Sequence, residues 1–129
     1  MSWQSVRSIL IASSLLIVAA CVNPEPRQEW NILPEDKRVT ASDLTPMIVG
    51  KTITYSDGSS STIREDGSYV FSAPDGTTYP WNWKMSEDGI VCLESGEYSR
   101  CDLFVLSDGV LTLINRSGSR YPIVKTEPI

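Results

Sequence analysis

Residues 50 to 125 alternate between short runs of β-branched or aromatic residues and tight turns. An Asp-Gly dipeptide occurs five times in this stretch and a Ser-Gly dipeptide twice. Asp-Gly between such runs is a strong hairpin signal, because glycine adopts positive φ at little cost and aspartate tolerates it. Seven turns therefore predict eight strands. The turn dipeptides begin at Asp57, Asp66, Asp75, Asp88, Ser95, Asp108 and Ser117.

The predicted strands have the usual length of about five to nine residues. Their connections are too short for crossover helices, so strands adjacent in sequence should pair antiparallel. The fold class is therefore all-β, an eight-stranded antiparallel meander. Closure into a small lipocalin-like barrel would remove exposed edges; an open sheet or a sandwich is the alternative. The predicted strands are 51–55, 60–64, 68–73, 77–85, 90–94, 98–106, 110–115 and 119–124.

The aromatic face of predicted strand 77–85 is a candidate binding surface. Tyr79, Trp81 and Trp83 lie on one side of this strand, because side chains alternate along it. Packing in the core is one interpretation. The other is that Trp81 and Trp83 form a stacking surface for a sugar or an apolar ligand in the mouth of the barrel.

A short helix is expected just before the first strand. It would begin at Thr40 or Ser42, both capable of capping, and end at Gly50. A helix in this place could plug one end of the barrel. Strands 98–106 and 110–115 are apolar on both faces, so each should be covered on both sides. We expect this helical segment to supply the outer cover.

The first twenty residues have the pattern of a signal peptide. Arg7 precedes a short apolar run, 9–20, that is too short to span a bilayer comfortably. The run ends in Val18-Ala19-Ala20-Cys21, which resembles the lipobox of bacterial lipoproteins. The resemblance implies cleavage before Cys21 and acylation of Cys21; an ordinary signal peptide cut nearby is the alternative. Val22 follows where an inner-membrane retention aspartate would stand, which favours the outer membrane.

Three regions follow from this organisation: a signal peptide over 1–20, a flexible tether over 21–39 and a β-domain over 40–129. The tether prediction rests on three prolines among polar residues without hydrophobic periodicity. Trp30 and Ile32 are its apolar exceptions. They either pack back on the domain or membrane interface, or contact a partner.

Cys92 and Cys101 flank the turn around Gly96, and this spacing places them opposite each other across a hairpin. Non-hydrogen-bonded pairs of this kind are within disulfide range, and an exported protein enters an oxidising compartment. We therefore predict a disulfide, with a free buried pair as the alternative. Two thiols without further ligands nearby do not complete a zinc site.

The chain carries a net charge of −5 and contains no histidine. The acidic balance argues against nucleic acid as a partner and would attract a basic protein. Without histidine the usual general base and the commonest metal ligand are absent. We expect neither an enzyme nor a metal or other cofactor. The turn aspartates are explained by turn chemistry, with calcium as the rival interpretation.

Ser117-Gly118-Ser119-Arg120-Tyr121 resembles the Ser-Gly-x-x-Tyr loop of C-type lysozyme inhibitors, small β-barrels whose membrane-bound form is a lipoprotein. The resemblance implies that Ser117 enters the lysozyme cleft and Tyr121 flanks it. The predicted β-barrel is also similar in shape to lipoprotein protease inhibitors. The leading functional hypothesis is an outer-membrane-anchored lipoprotein with a non-catalytic binding or structural role in the bacterial envelope; whether it binds a small-molecule ligand is left open by the sequence. The alternative is an inhibitor of a lysozyme or protease acting through Ser117–Tyr121.

Overall fold

A computed structural model describes residues 30–129 of the 129-residue chain. The predicted signal peptide, the predicted acylation site Cys21 and the predicted tether up to residue 29 lie outside the described residues. One helix and nine strands follow in order: β1 (Asp36–Arg38), α1 (Ala41–Ile48), β2 (Lys51–Tyr55), β3 (Ser60–Ile63), β4 (Ser68–Ser72), β5 (Thr78–Met85), β6 (Ile90–Ser95), β7 (Tyr98–Ser107), β8 (Val110–Ile114) and β9 (Arg120–Pro128).

Strands β2 to β9 form a closed antiparallel barrel of eight strands. Each pairs with the next in sequence, and β9 pairs back on β2 with Lys51 opposite Pro128. The register shifts between Thr54 and Tyr55, where a bulge lets β2 bend. The predicted fold, including the short helix, is confirmed, and the open-sheet alternative is excluded because every barrel strand has two partners.

The turn aspartates organise their own turns. The Asp57 and Asp66 carboxylates each accept a hydrogen bond from the backbone N–H of the serine two residues later, at 2.9 Å in both cases. Asp75 accepts the corresponding bond from Thr77. The hydrogen bonds from Ser68 lower the pKa of Asp66. These contacts confirm turn chemistry at three of the five Asp-Gly positions.

Helix α1 closes one end of the barrel, which we call the plugged end. Leu44 and Ile48 are fully buried against the apolar interior. The helix is seated on the turn between β5 and β6, where a Cβ on Gly89 would overlap the Val39 carbonyl oxygen. The helix begins at Ala41 after Thr40, which makes no side-chain capping bond.

Residues 30–38 form an outer layer on the barrel, and Val39 enters the inner core. Trp30 packs with Leu103, Val105 and Ile114 on the outer face of β7 and β8. β1 pairs with the second half of β7, with Arg38 opposite Val105. From Trp30 onward, the segment expected to be a tether is therefore instead part of the domain. The outer cover of β7 and β8 comes from this segment, whereas α1 fills the barrel end.

An ion pair fastens this layer to β9. The Arg120 guanidinium donates two hydrogen bonds to Asp36, from Nη1 to Oδ2 at 2.9 Å and from Nη2 to Oδ1 at 2.6 Å. The Asp36 side chain is fully buried, and its Oδ2 also accepts the Leu33 backbone N–H at 2.7 Å. The hydrogen bonds from Arg120 lower the pKa of Asp36 to about 2. The bidentate geometry fixes the position of β1.

Candidate ligand-binding cavity

The end of the barrel opposite α1 holds a cavity, and we call this the open end. Four turns surround it, those between β2 and β3, β4 and β5, β6 and β7, and β8 and β9. The cavity has a volume of about 320 Å³. Pockets for small molecules begin at about 300 Å³, so this cavity has the size for one small ring compound.

Aromatic side chains form two walls of the cavity. Phe71 and Tyr79 lie side by side on β4 and β5, with ring centroids 6.3 Å apart, and Trp81 lies below them. Tyr121 on β9 forms the other wall and meets the Tyr55 ring edge-on at 6.4 Å. Tyr79 is 48% exposed, so this wall reaches the rim. An aromatic wall open to solvent at a cavity mouth offers stacking area for a ligand.

The floor of the cavity carries three buried hydroxyl groups. Ser61 Oγ hydrogen-bonds to the Tyr55 hydroxyl at 2.9 Å and to the Tyr69 hydroxyl at 2.5 Å. Burial raises the pKa of Tyr69 to about 12 and that of Tyr55 well above its usual value. Both phenols are therefore protonated at neutral pH. The floor is uncharged and can both donate and accept hydrogen bonds.

An ion pair forms the third side. Arg100 Nη2 donates to Asp102 Oδ1 at 2.8 Å, and both residues lie on the inward face of β7. The Asp102 side chain is 3% exposed, whereas that of Arg100 is 45% exposed. Burial raises the pKa of Asp102, although the Arg100 hydrogen bond opposes this shift. A buried carboxylate beside a half-exposed guanidinium places an acceptor and a donor next to each other at the cavity wall.

The structure separates the two tryptophans that the sequence grouped. Trp81 lines the cavity. Trp83 lies two residues further along β5 and packs against the core. Its indole N–H donates a hydrogen bond to the Arg64 carbonyl at 2.7 Å. Trp83 thus belongs to the plugged half of the barrel and takes no part in the cavity.

The structure also places Ser117 and Tyr121 in different surroundings. Ser117 is exposed in the turn between β8 and β9, where its hydroxyl donates to Asn115 Oδ1 at 2.7 Å. Tyr121 points inward and lines the cavity. A lateral cleft of about 430 Å³ lies between this turn and the start of β7, with Ser117 and Arg116 on one side and Ser99 on the other.

The predicted disulfide braces the cavity wall. Cys92 and Cys101 are bonded across β6 and β7, with Cα atoms 4.0 Å apart. Cys101 lies between Arg100 and Asp102 in sequence and points outward, so the cross-link fixes the strand that carries the ion pair inward. Sequence reasoning missed Arg100 and Asp102 as site residues. The pattern that could have identified them is a pair of charged residues, two positions apart, on the same strand face as the apolar Phe104.

Within residues 30–129, no helix is long and apolar enough to cross a membrane. Over the same residues, no group of three or more His, Cys, Asp or Glu side chains is arranged to hold a metal ion.

Comparison with known proteins found no match: no family model, no curated protein and no solved structure is similar to this chain at a significant level.

Proposed function

We propose that this protein is a lipid-anchored component of the bacterial envelope that binds a small molecule in the open end of its barrel and performs no catalysis. The observation that supports binding is the cavity of about 320 Å³ with aromatic walls and a polar floor. Small-molecule sites combine apolar walls with a few placed polar groups in this way. The anchor is proposed from Val18-Ala19-Ala20-Cys21 alone, with the outer membrane as destination.

Ligand screening by thermal stability tests the binding function. A ligand that binds only the folded protein raises Tm, and the stabilisation grows with the logarithm of its concentration over Kd. Leu113 is buried in the cavity wall, so Leu113→Phe should fill the cavity and abolish the rise. Val124 is 64% exposed on β9, and Val124→Phe is the matched control that should keep it. A screen in which every Tm rise survives in Leu113→Phe would contradict binding in the cavity.

The anchor has its own test. Mass spectrometry of the mature N-terminus should show an acylated Cys21, and Cys21→Ala should leave the chain unacylated and release it from the membrane fraction, since stable attachment needs two acyl chains or their equivalent. Cleavage at another residue, with no lipid attached, would refute the lipoprotein proposal and leave the cavity proposal intact.

The inhibitor hypothesis retains one supporting observation, the exposure of Ser117 in a turn at the rim of the barrel. An inhibition assay with a C-type lysozyme and a serine protease tests it. Ser117→Trp should abolish inhibition if this turn enters an enzyme cleft. An acidic chain is suited to a basic enzyme, so inhibition should also weaken with added salt.

A further inference from the structure

On the basis of the binding function proposed above, we infer that the ligand is a neutral saccharide, one ring of which lies between Trp81 and Tyr121. The inference follows from how the barrel distributes apolar and polar groups around the cavity. In a closed barrel of eight strands, strands four positions apart lie across from each other. Around the barrel, aromatic residues on β5 and β9 therefore alternate with polar residues on β7 and β3; we call these four sectors the aromatic and polar quadrants.

The aromatic quadrants define a slot for a flat ring. Trp81 on β5 lies across the barrel from Tyr121 on β9, because β5 and β9 are four strands apart in the closed order. Phe71 and Tyr79 extend the first wall towards the rim. A pyranose ring has two faces of C–H groups that stack on aromatic side chains. Trp81 and Tyr121 therefore offer a stacking surface to each face of a sugar ring.

The polar quadrants match the edges of such a ring. Arg100 and Asp102 on β7 lie across from Ser61 on β3, again four strands apart. The ion pair presents a donor beside an acceptor, and the Ser61 cluster of hydroxyls does the same. A sugar hydroxyl both donates and accepts, so the ion pair at the side and the Ser61 cluster at the floor can both bind hydroxyl groups of the ring.

The charges in the cavity disfavour an anionic ligand. Asp57 and Asp102 outnumber Arg100, whose charge is already balanced by Asp102, so an anionic ligand would be repelled. The same net charge would attract a cation, so the titration with choline decides between a cation and a neutral sugar. An acyl chain would cover the half-exposed Arg100 guanidinium without offering it a hydrogen bond, which costs free energy. A neutral compound rich in hydroxyl groups satisfies all of these groups.

Calorimetric titration with defined probes tests the ligand class. The full chain, in a detergent without a sugar headgroup, would be titrated with N-acetylglucosamine, methyl glucoside and maltose, and with glucuronate, choline and laurate as the anionic, cationic and lipid counterparts. We expect saturable binding of at least one neutral sugar, at least about tenfold tighter than glucuronate, accompanied by a change in tryptophan fluorescence.

Variants locate the binding to the slot. Trp81→Ala should lower the affinity for the sugar by at least about fivefold, since it removes one stacking wall. Trp81→Phe should restore most of this affinity. Tyr98 is 76% exposed and does not line the cavity, so Tyr98→Ala is the matched aromatic control and should bind as the parent does. Should Trp81→Ala fail to fold, Tyr79→Ala at the exposed rim serves instead.

The outcomes separate the ligand class from the binding function. Sugar binding that Trp81→Ala and Leu113→Phe both weaken supports the saccharide inference. Choline, glucuronate or laurate binding in place of sugars, lost in Leu113→Phe, overturns the saccharide inference and leaves the binding function standing. Sugar binding unchanged in both variants places the site elsewhere and also overturns it. Absence of binding by every probe at millimolar concentration contradicts the saccharide inference, while the wider thermal screen still decides the binding function.

Discussion

The two ends of the barrel are built from the same strands and differ in what those strands carry inward. On β3, Ile63 points into the plugged end and Ser61 into the open end. On β7, Phe104 lies towards the plugged end and Asp102 towards the open end. Helix α1 seals the aliphatic end, whereas the polar and aromatic end holds a cavity. Under the proposed function, the plugged end serves stability and the open end serves binding.

The largest expected effect is at the plugged end. Leu44→Ala removes a fully buried side chain of α1 and should lower the free energy of unfolding by about 3 kcal/mol, the loss of burial plus the cavity left behind. Urea denaturation measures this, and Ser42→Ala on the exposed side of the helix is the control, expected within about 0.5 kcal/mol of the parent. A loss below about 1 kcal/mol would show that α1 does not seal the barrel.

The open end should respond next, and in a pH-dependent way. Arg100→Met leaves the Asp102 carboxylate buried without its partner. We expect a loss of about 2 kcal/mol at pH 7, less than for a fully buried pair because Arg100 is 45% exposed. Burial already raises the pKa of Asp102, and this pKa would rise further in the variant because the Arg100 hydrogen bond is lost. The ionised carboxylate therefore destabilises the folded variant at pH values above this pKa. The deficit should shrink as the pH is lowered towards 4 and the carboxyl takes up a proton.

Two controls accompany this variant. Arg64→Met removes an exposed arginine at the plugged end and should change stability little. Arg100→Met combined with Asp102→Leu removes both charges and should recover most of the lost stability. A deficit that is the same at pH 4 and pH 7 would mean that lost packing, and not the unpaired carboxylate, explains the effect.

The outer layer should show the opposite pH dependence. The pKa of Asp36 is lowered from 3.8 to about 2 by Arg120, so the ion pair contributes about 2 kcal/mol above pH 3.8. This contribution is lost as the pH falls through about 2. Asp36→Asn should therefore be less stable than the parent at pH 7, and the difference should shrink as the pH falls through about 2 and vanish near about pH 1, by urea denaturation at each pH. Glu35→Gln, at the exposed neighbouring position, should match the parent throughout.

The strands of the barrel could be predicted from the sequence because each is bounded by a glycine turn and alternates in polarity. β2 agrees to the residue, and the other barrel strands agree within a few residues. β1 could not be found in this way. Its three residues, Asp36 to Arg38, are all charged and show no period, and they pair because Trp30 and Arg120 hold the segment in place.

The cavity was only half visible in the sequence. Alternation places Trp81 and Trp83 on the same face, yet it does not reveal that the two tryptophans serve different ends of the barrel. Arg100 and Asp102 share a face with Phe104, and a sequence cannot show whether two such charges face solvent or each other. The closed register decides both questions, because it determines which inward residues meet across the barrel.

The two tryptophans give the smallest effect and the sharpest comparison of the two ends. Trp83→Phe removes the hydrogen bond to the Arg64 carbonyl and should cost about 1 kcal/mol of stability while leaving ligand affinity unchanged. Trp81→Phe should do the reverse, with stability close to that of the parent and a modest loss of affinity for the bound sugar. Urea denaturation and calorimetric titration of both variants measure the four values.

These substitutions are identical in chemistry and lie two residues apart on one strand, so each is the matched control of the other. An effect of Trp83→Phe on affinity would mean that the plugged end and the cavity are coupled through β5, and the division between the ends would fail. If instead the effects cross as expected, the alternation along β5 sets the face of each tryptophan and its distance from α1 sets its role.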